Sequence, residues 1–251
     1  MTFTQRSFIF VIFAALITAV PFASATTCSN ATLNGVYGVL SSGLNGSLLP
    51  ATTVVQVTFN GAGTASGTAT GSSDGTIQTE TFTGTYSVAS NCTGTISWTN
   101  ANGKVLNANF VMNSSNKGAF AIETDASHLQ TMVVTEQGTA TCTNKGVKKT
   151  YSLELTGTDL SVGQIGVVGQ LVLNGTGTIT GKVTLSLYGT IVNDVSVTGT
   201  YSISSNCTGT ATITPEGQSA INLSLVVVNS DKQILAVETD NNTVVSGMLL
   251  E

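Results

Sequence analysis

Two acidic pairs are the residues of this chain best suited to chemistry. Glu123 and Asp125 lie in the sequence Ala-Ile-Glu-Thr-Asp, and Glu238 and Asp240 lie in Ala-Val-Glu-Thr-Asp, 115 residues later. Paired carboxylates can act as general acid and base, or bind Ca²⁺. Because side chains alternate along a strand, the Glu and Asp of each pair are predicted to share one face. All four residues are therefore candidate catalytic groups.

The same acidic segments also have a purely structural interpretation. In this alternative the carboxylates point to solvent, Phe120 and Ile122 face the core, as do Leu235 and Val237, and Asp125 begins a turn. The alternation of side chains along the strand does not distinguish the catalytic from the structural interpretation. An internal position of the Glu side chains, with a raised pKa, would favour catalysis.

His128 is the single histidine, and the corresponding residue of the second segment is Thr243. A histidine-based mechanism common to both segments is therefore excluded, and His128 is predicted to be an exposed loop residue. The single tryptophan, Trp98, is likewise replaced by Ile213. A sugar-stacking surface shared by both segments consequently has little support.

The four cysteines allow three complete pairings. Their matching positions favour Cys28–Cys92 and Cys142–Cys207, whereas a Cys92–Cys142 bond would contradict two independent units. The cysteines lie singly and no histidine is near them, so we expect no metal site. The Asn-Gly-x-Gly-Thr segments at 60–64 and 174–178 predict hairpins rather than phosphate loops, because no helix and lysine follow them. No cofactor is expected.

A tandem repeat organises the whole chain. Residues 82–98 match 197–213 at 11 of 17 positions with a shift of 115, and Cys28 and Tyr37 match Cys142 and Tyr151 with a shift of 114. The change in shift predicts one inserted or lost residue in a loop between the two matches. A repeat of this length is large enough to bury its own core. We therefore expect two modules, 26–138 and 139–251.

Each module is predicted to be all-β. Phe82, Gly84, Tyr86 and Val88 alternate with polar residues, and Leu106, Ala108, Phe110 and Met112 form a second apolar face. Runs bounded by Gly, Asn and Ser give about eight strands per module, with loops too short for crossover helices. We favour two antiparallel barrels, because closure removes exposed strand edges. A β-sandwich and an exchange of strands between the copies are the alternatives.

The first 25 residues have the features of a cleavable signal peptide. Arg6 precedes an apolar run over 8–20, and Ala23-Ser-Ala25 precedes the expected cleavage site. The run is shorter than the roughly 20 apolar residues that span a membrane, so no transmembrane segment is expected after cleavage. The remaining chain has 7 Lys and 13 acidic residues. This acidic balance argues against nucleic-acid binding, and we expect a secreted, cell-surface or periplasmic protein.

The motif Gly-Thr-Tyr-Ser-Val/Ile-x-Ser-Asn-Cys-Thr-Gly-Thr occurs at 84–95 and 199–210, downstream of a Cys-x-Asn and a Phe/Leu-Asn-Gly-x-Gly-Thr segment. With these motifs the chain resembles a group of uncharacterised exported bacterial proteins of the acidobacterial type. Its order of Gly-rich strands also looks like the calycin-like barrels of allene oxide cyclase and dirigent proteins. That second resemblance implies binding of hydrophobic molecules and places no catalytic residue here.

The sequence leaves three functional hypotheses. We expect a non-enzymatic binding or cell-surface interaction protein, whose partner is a small apolar ligand or a component of the cell surface. The first alternative is a cofactor-free isomerase or cyclase that uses the barrel carboxylates. The second is a structural adhesin or envelope component, which predicts filled barrels and self-association.

Overall fold

A computed structural model of the chain describes residues 27–115, 117–138 and 141–251. The predicted signal peptide lies outside the described residues. So do Thr139 and Ala140, at the predicted module boundary. Within the described ranges, no helix is long and apolar enough to cross a membrane.

The described residues form sixteen β-strands and one short 3₁₀ turn at Asn30–Thr32. The first eight strands are β1 (Asn34–Leu44), β2 (Pro50–Asn60), β3 (Thr64–Ser73), β4 (Thr76–Val88), β5 (Thr93–Thr99), β6 (Val105–Met112), β7 (Gly118–Glu123) and β8 (Leu129–Glu136). The second eight are β9 (Thr150–Asp159), β10 (Gly163–Leu173), β11 (Thr178–Leu187), β12 (Thr190–Ile203), β13 (Thr208–Pro215), β14 (Ile221–Val228), β15 (Gln233–Glu238) and β16 (Thr243–Leu250).

The strands form two closed antiparallel barrels, here called barrel 1 (β1–β8) and barrel 2 (β9–β16). Barrel 1 closes by pairing of β1 with β8, and barrel 2 by pairing of β16 with β9. The prediction of two tandem barrels is confirmed. The sandwich alternative is wrong, and no strands are exchanged, since each barrel uses eight consecutive strands.

The turn residues identified in the sequence form the expected hairpins. Asn60 Oδ1 accepts hydrogen bonds from the backbone N–H groups of Ala62 and Thr64, between β2 and β3. Gly61 has a φ of 72°, a conformation that glycine adopts without steric cost. Asn174 forms the same contacts between β10 and β11. These turns fix the register in which successive strands pair.

The extra residue of the second copy lies in a strand rather than in a loop. The β3–β4 and β11–β12 turns each have two residues. The pairing of β11 with β12 instead shifts between Val183 and Leu185, and Asp194 on β12 has a φ of 57°. This irregularity is a β-bulge, which accommodates one unpaired residue. The prediction of a loop insertion was therefore wrong.

One end of each barrel is closed by its amino-terminal segment. Cys28 is bonded to Cys92 in barrel 1, and Cys142 to Cys207 in barrel 2, which confirms the predicted pairing. In barrel 1 the rings of Tyr37, Phe59 and Tyr86 pack edge to face just inside this end, with centroids 5.5 and 5.1 Å apart. The opposite end of the barrel is formed by the β1–β2, β3–β4, β5–β6 and β7–β8 loops.

The two barrels pack directly against each other. The contact is an apolar cluster of outward-facing residues from β1 and β2 of barrel 1 and β14–β16 of barrel 2: Leu40, Val54, Val226, Val228, Leu235, Val237 and Met248. The hydroxyls of Thr52 and Ser246 hydrogen-bond across it at 2.6 Å. Barrel 2 consequently has strands that are buried on both faces.

Candidate functional site

The candidate site lies at the open end of barrel 1, where Glu123 and His128 meet. Glu123 is the last residue of β7 and follows Ala119 and Ala121 on the inward face. The short β7–β8 loop then returns the chain, so His128 precedes β8 directly. The hairpin thus aims both side chains into the same barrel.

Glu123 and His128 form a buried contact. Glu123 Oε1 lies 2.9 Å from His128 Nδ1, and only 2% of the Glu123 side chain and 8% of the His128 side chain are exposed. The contact has the distance of an ion pair without the alignment of a hydrogen bond. Neither of the two atoms has a hydrogen-bond partner among the described residues. Buried polar atoms of this kind are costly unless another group satisfies them.

The surroundings of the imidazole define its tautomer. Lys104 Nζ lies 2.8 Å from His128 Nε2. Because a lysine ammonium can only donate, this contact favours the tautomer in which Nε2 accepts and Nδ1 carries the proton, facing Glu123. Gly46, in the β1–β2 loop, covers the ring so closely that a Cβ there would lie 2.5 Å from His128 Nε2. The β1–β2 loop can therefore pack directly against the imidazole only because residue 46 has no side chain.

Burial raises the pKa of Glu123 above its usual value, because the barrel interior disfavours the carboxylate. The neighbouring His128 acts in the opposite direction, and Asp125 adds a smaller upward contribution. The carboxyl is therefore more basic than an exposed glutamate and sits beside a ring that can exchange a proton.

Asp125 does not share this position, contrary to the prediction that Glu and Asp lie on one face of a strand. The strand ends at Glu123, and Asp125 in the following loop accepts hydrogen bonds from the backbone and side chain of Asn107, at 2.6 and 3.0 Å. Although partial burial opposes the effect, these hydrogen bonds lower the pKa of Asp125. Asp240 binds Asn222 in the same way, at 2.7 Å for both bonds. In both copies the aspartate fastens a loop to a neighbouring strand.

The alternative orientation of the acidic segments was also wrong. Phe120 and Ile122 point out of barrel 1 and are 65% and 45% exposed. Leu235 and Val237 are buried, but by the contact with barrel 1 rather than by the interior of barrel 2. The Glu side chains, not these apolar residues, face inward.

A cavity of about 270 Å³ extends from Glu123 and His128 into barrel 1. Its apolar wall includes Val55, Phe82, Trp98, Leu106, Phe110 and Met132, and its polar residues include Ser41, Glu80 and Gln130. The Ser41 hydroxyl donates a hydrogen bond to Gln130 Oε1. Glu80 Oε2 accepts one from the backbone of Ala101 at the rim. The cavity is thus apolar along its length and polar where it opens.

Barrel 2 has the matching carboxylate without this environment. Glu238 is buried, and burial together with the nearby Asp240 raises its pKa from 4.5 to about 7. Thr243 occupies the position that His128 has in barrel 1. Its hydroxyl donates a hydrogen bond to the backbone carbonyl of Asp240 at 2.7 Å. Glu238 therefore lacks both the imidazole and the neighbouring cavity wall of Glu123.

Residue size explains why the interiors differ. In barrel 1 the inward residues of β3 are small, and their counterparts on β11 are mostly large: Ala65, Ala69, Gly71 and Ser73 correspond to Ile179, Val183, Leu185 and Leu187. Polar residues in the interior of barrel 1 are likewise replaced by apolar residues in barrel 2: Ser41, Thr53, Glu80 and Gln130 correspond to Leu155, Val167, Val195 and Val245. These larger side chains of barrel 2 pack into one continuous apolar core.

His128 and Trp98 are residues of the candidate site that the sequence did not identify. His128 is buried against Glu123 rather than exposed, and Trp98 lines the cavity. Both were set aside because the second copy lacks them. The useful signal was the opposite one: interior positions at which the copies differ mark the barrel with the cavity.

Across the described part of the chain, no group of three or more His, Cys, Asp and Glu residues is placed to hold a metal ion. No protein-family model matches the chain, and a comparison with curated proteins finds no significant relative.

Proposed function

We propose that this chain is an exported binding protein whose barrel 1 takes up a small, largely apolar molecule with one polar group. The observation that carries the proposal is the buried Glu123–His128 contact at the end of an apolar cavity. Ligand sites typically combine an apolar wall with a few polar groups that fix orientation. The intramodular disulfides fit an extracellular or periplasmic location.

The cavity limits the size and charge of the ligand. A volume of about 270 Å³ equals that of roughly nine liquid water molecules at ~30 Å³ each. A ligand carboxylate would be a third acidic group beside Glu123 and Glu80 and would be repelled. A hydroxyl, by contrast, can donate to the Glu123 carboxyl group, which lines the cavity. The preferred ligand class is therefore a neutral apolar alcohol.

Decan-1-ol, decane and decanoate form a matched set of probes. Trp98 is the only tryptophan and lines the cavity, so its fluorescence reports occupancy. We expect decan-1-ol to bind more tightly than decane, and decanoate to bind weakly at neutral pH. Isothermal titration calorimetry gives the affinities.

A variant that fills the cavity tests the location. Ala69→Leu places a larger side chain on the cavity wall and is expected to abolish binding of decan-1-ol. Thr68→Leu, on the exposed face of the same strand, is the control and should bind normally. Binding that survives Ala69→Leu, or wild-type protein that binds none of the probes, would contradict the proposal.

A cofactor-free isomerase or cyclase is the second candidate function. It is favoured by the raised pKa of Glu123 and by the adjacent imidazole, because a carboxyl and an imidazole in contact can pass a proton to and from a substrate carbon. The resemblance of the strand order to allene oxide cyclase and dirigent barrels is a further hypothesis, and it points to the same class of function. Recovery of a bound natural ligand in chemically altered form, lost in Glu123→Gln, would favour the enzyme over the binding protein.

The third hypothesis, a structural adhesin or envelope component, predicts two filled barrels. Barrel 2 fits that expectation, whereas the cavity of barrel 1 does not. A function of the interior is therefore the better supported proposal.

A further inference from the structure

An exposed apolar patch lies on the outer face of barrel 1. It consists of the exposed Val111 on β6 and Phe120 and Ile122 on β7, together with the half-buried Val133 on β8. Val111 pairs with Phe120, and Phe120 pairs with Val133, so the patch is continuous across three strands. Val111, Phe120 and Ile122 are 49%, 65% and 45% exposed. Clusters of this kind on a soluble protein commonly mark an interaction surface.

The repeat shows what such a face does in the second copy. With the shift of 115, the patch residues correspond to Val226, Leu235, Val237 and Met248. Those four residues form most of the barrel 2 side of the contact between the barrels, where Val226, Leu235 and Val237 are almost fully buried. The patch is therefore the counterpart of an interface already present in the molecule, and it is apolar at all four positions in both copies.

A head-to-tail arrangement would place barrel 2 of another molecule on the patch, through the outer face of β9 and β10. The corresponding face of barrel 1 depends on Gly38, where a Cβ would lie 2.5 Å from Val228 Cγ1, and on Leu40. Barrel 2 has Ser152 and Glu154 at these positions. Ser152 would crowd the side chains of the patch, although the patch has Asn113 where barrel 2 has Val228. Glu154 would lose its hydration against apolar side chains.

We propose that the patch pairs with the same patch of a second copy of this chain, forming a two-fold symmetric dimer through β6–β8 of barrel 1. Self-pairing buries apolar residues against apolar residues and requires no charged group at the centre. Two-fold contacts use one self-complementary surface and close after two subunits, so the assembly does not extend into a fibre. The open end of barrel 1, with Glu123 and His128, belongs to a different part of the barrel from this outer face.

Analytical ultracentrifugation of the exported, purified protein tests the dimer. Wild-type protein is expected to sediment with twice the chain mass at high micromolar concentration and to dissociate on dilution. Phe120→Lys and Ile122→Glu each place a charge in the patch and are expected to give monomers at all these concentrations. Both residues are exposed, so circular dichroism should show unchanged folding.

Val168→Lys is the matched control. Val168 is 55% exposed on β10 and corresponds to Val54 of the contact between the barrels. The variant should dimerise like wild type. A wild-type protein that is monomeric throughout would overturn the proposal, as would a dimer that survives Phe120→Lys. Dissociation by Val168→Lys would instead establish the head-to-tail arrangement.

Discussion

Ser41 lines the cavity of barrel 1, and the matching position of barrel 2 is occupied by Leu155, which is almost fully buried. The same contrast recurs around both interiors: small or polar residues in one copy correspond to larger apolar residues in the other. The two barrels share strand order, hairpin turns and disulfides. The common features therefore specify the fold, and the differences specify which barrel contains a cavity.

The outer faces of the two barrels differ in how far they are exposed. Barrel 2 buries its β14–β16 face against barrel 1, while the equivalent patch of barrel 1 is exposed. Barrel 2 is consequently packed on both sides of these strands, whereas barrel 1 has space inside and an apolar surface outside.

The largest expected effect comes from opening the packed core of barrel 2. Leu155→Ala should lower the free energy of unfolding by about 3 kcal/mol, within the ~2–5 kcal/mol typical of buried leucines, because the surrounding core relaxes only partly. Leu106→Ala, on the wall of the existing cavity in barrel 1, should lower the free energy of unfolding by a clearly smaller amount. Urea unfolding followed by circular dichroism compares them, and equal losses would contradict the contrast between the interiors.

The buried Glu238 is expected to make stability depend on pH. Its pKa rises from 4.5 to about 7 on folding, so the folded state binds the proton more tightly than the unfolded state. Stability from this group is complete below pH 4.5 and decreases as the pH rises towards 7. Glu238→Gln should remove this decrease and raise the free energy of unfolding above pH 7 by at most about 3 kcal/mol.

The measurement for Glu238 is urea unfolding at a series of pH values, with wild type and Glu238→Gln compared at each. Glu123 contributes to both proteins and therefore cancels in the difference. A difference that stays constant across this range would show that Glu238 is not buried as a neutral acid.

The smallest effect concerns the imidazole that only barrel 1 has. His128→Thr should raise the pKa of Glu123 further, because His128 lowers it in the wild type. The reverse exchange requires Thr243→His together with Leu160→Gly, since Leu160 stands where Gly46 makes room for the ring. That double variant should lower the pKa of Glu238. Carboxyl ¹³C NMR titration measures both, and an unchanged Glu123 titration in His128→Thr would contradict the pairing.

Much of the fold followed from the sequence. Strand alternation placed Tyr86, Val88, Phe110 and Met112 inside correctly, because a strand has two distinct faces and the inner one of these strands is apolar. Asn60 and Gly61 predicted a hairpin from their local backbone preferences. Comparison of the copies gave the disulfide pairing. Each of these inferences depends on short-range geometry or on the repeat.

The candidate site was only partly predictable. Glu123 and Glu238 were identified, but His128 was assigned to solvent and Asp125 to the same face as Glu123. Both errors concern residues 124–128, where strand alternation ends and the chain turns. Only the packing of that loop against Lys104, Asn107 and Gly46 determines which side chains turn inward.

The sequence by itself determined two eight-strand modules, their turns and their cysteine pairs. The tertiary structure decided which apolar face of β7 is inside: the small Ala119 and Ala121 face the barrel, and the larger Phe120 and Ile122 face out. Alternation cannot decide this when both faces are apolar. The decision depends on the register of β7 with β6, in which Ala119 and Ala121 pair with the buried Met112 and Phe110. In barrel 2 the contact with barrel 1 covers the equivalent outer face.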